Sequence, residues 1–113
     1  MKYLLIHVVD GDVELTAADA ARVQVDFGTW LSEMISRGVS LHGGRLRPVS
    51  DATTVRVRNR ETLISDGPFA ETKEQVAGYD VIECPDLDTA LDVAARHPTA
   101  RLGGIEVRPF WAP

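Results

Sequence analysis

Residues 3–9, Tyr3-Leu4-Leu5-Ile6-His7-Val8-Val9, form a short apolar run, rich in β-branched and aromatic side chains and broken only by His7. Such a run predicts a buried strand, and Asp10-Gly11-Asp12 closes it. Thr16 then stands where a helix N-cap belongs, with Asp19 three residues on as a weak capping box. Ala20, Val23, Phe27, Trp30, Leu31 and Met34 recur at helical spacing and give one apolar face. Gly38 supplies a left-handed position after the last turn, so the first helix is expected over residues 17–37.

Residues 39–46 read as a second strand, loosened by Gly43-Gly44, a pair that suggests a bulge. Pro48, Ser50 and Asp51 break the chain. Thr53-Thr54-Val55-Arg56-Val57-Arg58 alternates as a half-exposed strand should, Asn59-Arg60-Glu61 turns, and residues 62–65 return as its partner. Residues 78–84 form another strand. Asp86 caps a second helix with Leu87, Ala90, Leu91 and Ala94 on one face, His97 in its last turn and Pro98 as its stop. Residues 105–108 form a final strand that ends at Pro109.

The resulting order is β-α-β, an inserted hairpin, then β-α-β. This is an α+β, ferredoxin-like split βαβ plan, with both helices on one face of an antiparallel sheet. The first strand is apolar on both faces, Tyr3, Leu5 and Val9 on one and Leu4, Ile6 and Val8 on the other. One domain has nothing left to cover the second face. A second copy stacked sheet on sheet does so, and a homodimer is expected on that ground.

The chain has 113 residues, the size of one domain, here residues 1–113. Its 44% apolar content is enough for a core. A net charge of −5 argues against direct nucleic-acid binding. The single cysteine, Cys84, excludes an internal disulfide, suits a reducing cytoplasm, and is expected to be a buried, unreactive thiol. The apolar run at residues 3–9 is too short to span a membrane, and no cleavage pattern follows it. No zinc spacing, phosphate loop or dinucleotide fingerprint is present, so no metal and no cofactor is expected.

Candidate chemistry concentrates in Asp66-Gly67-Pro68-Phe69-Ala70-Glu71-Thr72-Lys73-Glu74-Gln75, which joins a turn signal, an aromatic and charges of both signs. On a plain reading Asp66 is a turn acceptor, Phe69 anchors the loop, and Glu71, Lys73 and Glu74 form a solvated face. On a functional reading Asp66 or Glu71 serves as acid or base and Lys73 holds an anion. His42, beside two glycines that let a ligand approach, reads as a general base or as a histidine satisfied by the backbone. His7, on a strand with no polar neighbour on its face, is a core histidine or lines a cavity. It needs a partner, for which Glu106 is the candidate. His97 reads as a helix-end residue whose cation favours the dipole. Arg45 and Arg47, and Arg56 and Arg58, alternate as basic stripes that either bind an anion or lie solvated beside Asp51 and Glu61. Arg108 shares a face with Glu106, as a structural pair or one that orients a catalytic group.

The DGPFAETKEQ stretch resembles the signature of the YCII-related, DGPF-type family, in bacteria. The resemblance extends to Met1-Lys2-Tyr3-Leu4-Leu5, Gly78-Tyr79, Asp86-Leu87-Asp88-Thr89-Ala90-Leu91, His97-Pro98 and Val107-Arg108-Pro109. It implies a dimeric α-β barrel; for a small organic ligand in the dimer cleft, the residues themselves suggest His42 as base, Asp66 as acid or orienter, and His7, Phe69, Glu71, Lys73 and Arg108 around it. It also implies, for some relatives, lyase or dehalogenating chemistry on hydroxylated aromatics through a His-Asp pair. The histidine of that pair lies on the first helix, and residues 17–37 here hold none. Asp10 matches its aspartate only loosely, so His42 or His7 would have to substitute. The alternative that the resemblance carries is a non-enzymatic module working with an extracytoplasmic-function sigma factor.

Overall fold

The computed structural model describes all 113 residues. Strands β1 (Lys2–Asp10), β2 (Ser40–Arg45), β5 (Glu74–Glu83) and β6 (Gly104–Pro109) form one antiparallel sheet in the order β2-β5-β1-β6. Helix α1 (Ala17–Ser36) links β1 to β2, and α2 (Leu87–Ala95) with the short α3 (Thr99–Leu102) links β5 to β6. This is the split βαβ arrangement, α+β and ferredoxin-like. Strands β3 (Thr53–Arg58) and β4 (Glu61–Asp66) form a separate two-stranded hairpin.

Local chemistry explains the ends of these elements. Thr16 accepts the Asp19 amide at 3.1 Å and starts α1. Asp86 accepts both the amide and the hydroxyl of Thr89 and starts α2. Those bonds favour the carboxylate and hold the Asp86 carboxyl below its usual range. Gly38, at φ 70°, turns the chain out of α1. The hairpin closes through Asn59 and Arg60, both at positive φ, which suits the twist of a two-residue connection.

Three expectations needed correction. Strand β5 begins at Glu74, four residues earlier than its apolar run suggested, because the end of β1 extends to pair Asp10 with Glu74. The buried face of α2 is Ala90, Val93 and Ala94, while Leu87 and Leu91 are about half exposed. Helix α2 ends before His97, and α3 follows Pro98.

The core lies between the helices and one sheet face. Tyr3, Leu5 and Ile82 meet Trp30 and Met34 of α1 and Ala90, Val93 and Ala94 of α2. Trp30 donates to the Val93 carbonyl at 2.9 Å, which satisfies its indole in the core. Cys84 is buried, and burial pushes its thiol pKa up, as expected of an unreactive cysteine. The other face carries Leu4, Ile6, Val8, Tyr79 and Val81, all only partly covered. No helix is long and apolar enough to cross a membrane.

Candidate functional site

Helix α1 is buried only at Trp30 and Met34, in its C-terminal half. Its N-terminal half stands off the sheet. Between them opens a cavity of about 700 Å³. Leu15, Val23, Phe27 and Leu31 make its apolar wall; β1, β2 and β5 give its floor; His97, Pro98 and Leu102 close one end. One chain builds all of it. The apolar stripe of α1 was legible in the sequence, but half of it lines this space instead of the core.

The floor carries a buried polar cluster. His7 on β1 and Asp80 on β5 project from the helix-facing side, with Leu5 opposite Asp80 and Gly78 opposite His7 in the register. They are therefore diagonal neighbours, and His7 Nε2 lies 2.6 Å from Asp80 Oδ2. A carboxylate only accepts, so Nε2 carries the proton and Asp80 fixes the His7 tautomer. Both side chains are more than nine-tenths buried. Gly43 on β2 lies opposite Asp80, and a Cβ there would overlap Asp80 Oδ1. Glycine at 43 thus makes room for the carboxylate.

His97 completes the cluster. Its ring lies 4.2 Å from that of His7 and 4.7 Å from Trp30. Its Nδ1 accepts the Thr99 amide at 3.0 Å, so Nε2 carries the proton. Burial first, then His7 and then Arg101, lower its pKa to about 4. The expected helix-end cation is therefore a neutral core imidazole. Its place follows from spacing: Ala90, Val93, Ala94 and His97 stand at i, i+3, i+4 and i+7 and share the core-facing side.

His7 Nδ1 and His97 Nε2 are sealed from solvent without partners. Asp80 Oδ1 also has no hydrogen bond but is not among the sealed atoms, so it is the acceptor that meets the cavity. His7, Asp80 and His97 each bring a potential metal-ligand atom within 4.8 Å of the others. Of these atoms, His7 Nε2 and Asp80 Oδ2 already engage each other at 2.6 Å.

The other sequence candidates lie elsewhere. His42 is exposed on the open sheet face, opposite Val81, with its Nδ1 2.6 Å from the Tyr79 hydroxyl. Asp66 ends β4 on the separate hairpin, exposed, and no hydrogen bond joins it to His42. Phe69 is 77% exposed, because the hairpin stands off the core and offers nothing to bury it. Only its carbonyl is held, by Arg56 at 3.2 Å. Glu71 is exposed and unpaired. Lys73 pairs with Asp10 at 3.4 Å, and Arg108 with Glu106 at 2.5 Å on the open face. Glu106 lies opposite Ile6, on the face away from His7, so Asp80 is the partner that His7 required. Arg47 pairs with Asp51 at 3.1 Å, and Arg58 bonds the Val57 carbonyl. The DGPF stretch is tied chiefly to the neighbouring hairpin. The Gly67 amide reaches the Ala52 carbonyl, the Thr54 hydroxyl reaches the Gly67 carbonyl, and the Thr72 hydroxyl reaches the Glu74 carbonyl.

Asp80 was missed by sequence reasoning. The signal available was a carboxylate between Gly78 and Ile82 on the buried side of an apolar strand, where an unpaired charge is untenable.

Comparison with known proteins fits this architecture. The chain is 41% identical over 91 residues to the uncharacterised protein R00369 of Rhizobium meliloti (strain 1021), an alignment covering 79% of this chain and 73% of that protein. The YCII-related domain matches residues 1–112. The chain belongs to the YCII-related family.

Proposed function

We propose that the protein binds a small organic molecule in the cavity under α1 and catalyses an acid-base step on it through Asp80 and His7. The observation that carries this reading is the buried 2.6 Å His7–Asp80 pair on the floor of an apolar cavity. The cavity volume falls in the range of small-molecule sites. Asp80 Oδ1 takes or gives the proton, and His7 holds the carboxylate and spreads its charge. Sequence reasoning placed the acid-base pair at His42 and Asp66; this reading moves it to Asp80 and His7.

The same reading includes a homodimer that covers the open sheet face. The chain exposes 8155 Å², whereas a compact monomer of this mass exposes about 6,100 Å². Its radius of gyration is 16.1 Å, against about 13 Å for a compact domain of this length. The excess area is comparable to what a permanent dimer hides. The open face and the hairpin, with Val55, Val57, Leu63 and Ile64 exposed, supply it.

Native mass spectrometry of protein drawn from its own host tests the binding. A small-molecule mass on the wild type that is absent from Val23→Trp, which crowds the apolar wall of the cavity, supports it; the same mass on both refutes it. In heavy water the bound molecule should gain deuterium at least about 100-fold more slowly with Asp80→Asn, the usual scale for losing a general base. An unchanged rate removes Asp80 from the chemistry.

The exposed hairpin also favours a second reading, a module whose Arg56, Arg58 and apolar residues contact an extracytoplasmic-function sigma factor. A pull-down from native extract separates the two: the module returns with a stoichiometric sigma factor, the enzyme as a bare dimer.

A further inference from the structure

Arg45 is the one lysine or arginine among the residues that line the cavity. It lies on β2 opposite Gly78, two positions from Gly43, which lies opposite Asp80. Two residues along a strand keep the same face and span roughly 7 Å. Arg45 therefore rises from the cavity side, about 7 Å along the strand from the Asp80 position.

Its guanidinium is uncommitted. Arg37, Arg47, Arg96, Arg101 and Arg108 all form ion pairs with carboxylates, and Arg56 and Arg58 bond carbonyls. Arg45, like Arg22 and Arg60, has neither kind of partner, but it alone of the three lines the cavity. The single acid of the cavity, Asp80, already accepts a hydrogen bond from His7. Gly78, opposite Arg45, and Gly43, two positions along β2, add no side chains to the floor beside it. The opposite wall, Leu15, Val23, Phe27 and Leu31, is apolar.

We propose that Arg45 is an anion-binding, specificity-determining residue, and that the cavity takes an amphipathic organic acid. This rests on the cavity reading above. The carboxylate of the ligand docks on the Arg45 fork, which matches it bidentately. Its apolar body lies against Val23, Phe27 and Leu31. The atom that exchanges a proton then sits at Asp80, on the neighbouring strand. Arg45 is exposed, and a neutral molecule of the same shape gains no ion pair with it, which is the source of the discrimination.

The test is isothermal titration with a matched pair, 3-phenylpropanoate and the neutral 3-phenylpropanamide. Wild type, Arg45→Gln, Arg45→Lys and Val23→Trp are compared, each checked for folding by circular dichroism. The expected result is at least tenfold tighter binding of the acid by wild type. Arg45→Gln should lose that preference while binding the amide as before, and Arg45→Lys should recover part of it. Equal affinity of acid and amide for wild type, or an acid preference that survives in Arg45→Gln, overturns the role of Arg45. If Val23→Trp then still abolishes binding of both probes, the cavity reading stands without it. If neither probe binds wild type, or Val23→Trp binds both unchanged, the cavity reading falls and the anion site falls with it.

Discussion

The four-stranded sheet and the β3–β4 hairpin are both antiparallel and both well hydrogen-bonded, yet they differ in what covers them. The sheet has one face under α1 and α2, where Tyr3, Leu5 and Ile82 are at most 2% exposed. On the hairpin Val55, Val57, Leu63, Ile64 and Phe69 are all at least 43% exposed. A covered face can hold a hydrogen-bonded polar pair out of water, because its low polarity strengthens the pair and packing fixes its geometry. A bare hairpin cannot. The buried His7–Asp80 pair accordingly lies on the covered face of the sheet. The hairpin is left with turn chemistry and surface.

The sharpest way to break this comparison is to cut the cover itself. Trp30→Ala removes a core aromatic and its bond to Val93, and should cost about 3–5 kcal/mol in a denaturant titration at any protein concentration. A loss under about 1 kcal/mol would mean that α1 does not seal the sheet.

Acid should act on the same region. The folded protein holds His97 near pH 4, whereas the unfolded chain binds its proton at about 6.5. Above about pH 6.5 both states are neutral there and nothing changes. As pH falls from 6.5 towards 4 only the unfolded state gains the proton, so stability drops, by about 3 kcal/mol in all. The difference between wild type and His97→Phe across that window isolates the effect; identical slopes would refute it.

Glycine substitutions probe a finer scale. Gly43→Ala pushes a methyl into Asp80 Oδ1 and should cost about 1–3 kcal/mol, the usual scale of overpacking. At Gly44 the nearest atom would be Tyr79 Cε1 at 3.6 Å, so Gly44→Ala should cost under about 1 kcal/mol, chiefly through altered backbone freedom. Equal costs would mean that the Asp80 carboxylate is not held where the structure puts it.

The smallest effect belongs to the hairpin. Ile64→Ala and Phe69→Ala should change the stability of the monomer by about 0.5 kcal/mol or less. If a second copy covers the hairpin, the same changes should weaken self-association in sedimentation runs at least tenfold. A large concentration-independent loss would show that the hairpin packs on its own chain.

Much of this architecture could be read along the chain. Periodicity placed α1, β3, β6 and the start of α2 to within a residue or two, since caps, glycines and alternation are local signals. The DGPF stretch marked the family because its residues are contiguous, although most of its bonds run to the hairpin and to the end of β1. The candidate site was less legible. His7 was flagged because an imidazole in an apolar strand needs a partner, but Glu106 was named for that part. Its register opposite Ile6 turns it to the other face.

The sequence by itself determined the element order, the split βαβ plan and the need for cover on both faces of β1. Those follow from periodicity and capping, which act over a few residues. Only the tertiary structure decided that His7 meets Asp80, 73 positions away, and that His97 packs against His7 instead of ending a helix as a cation. It also decided that half the apolar stripe of α1 faces a cavity. Each of these depends on strand register and on the tilt of a helix over a sheet. A shift of one residue in register would turn each of those strand side chains to the opposite face.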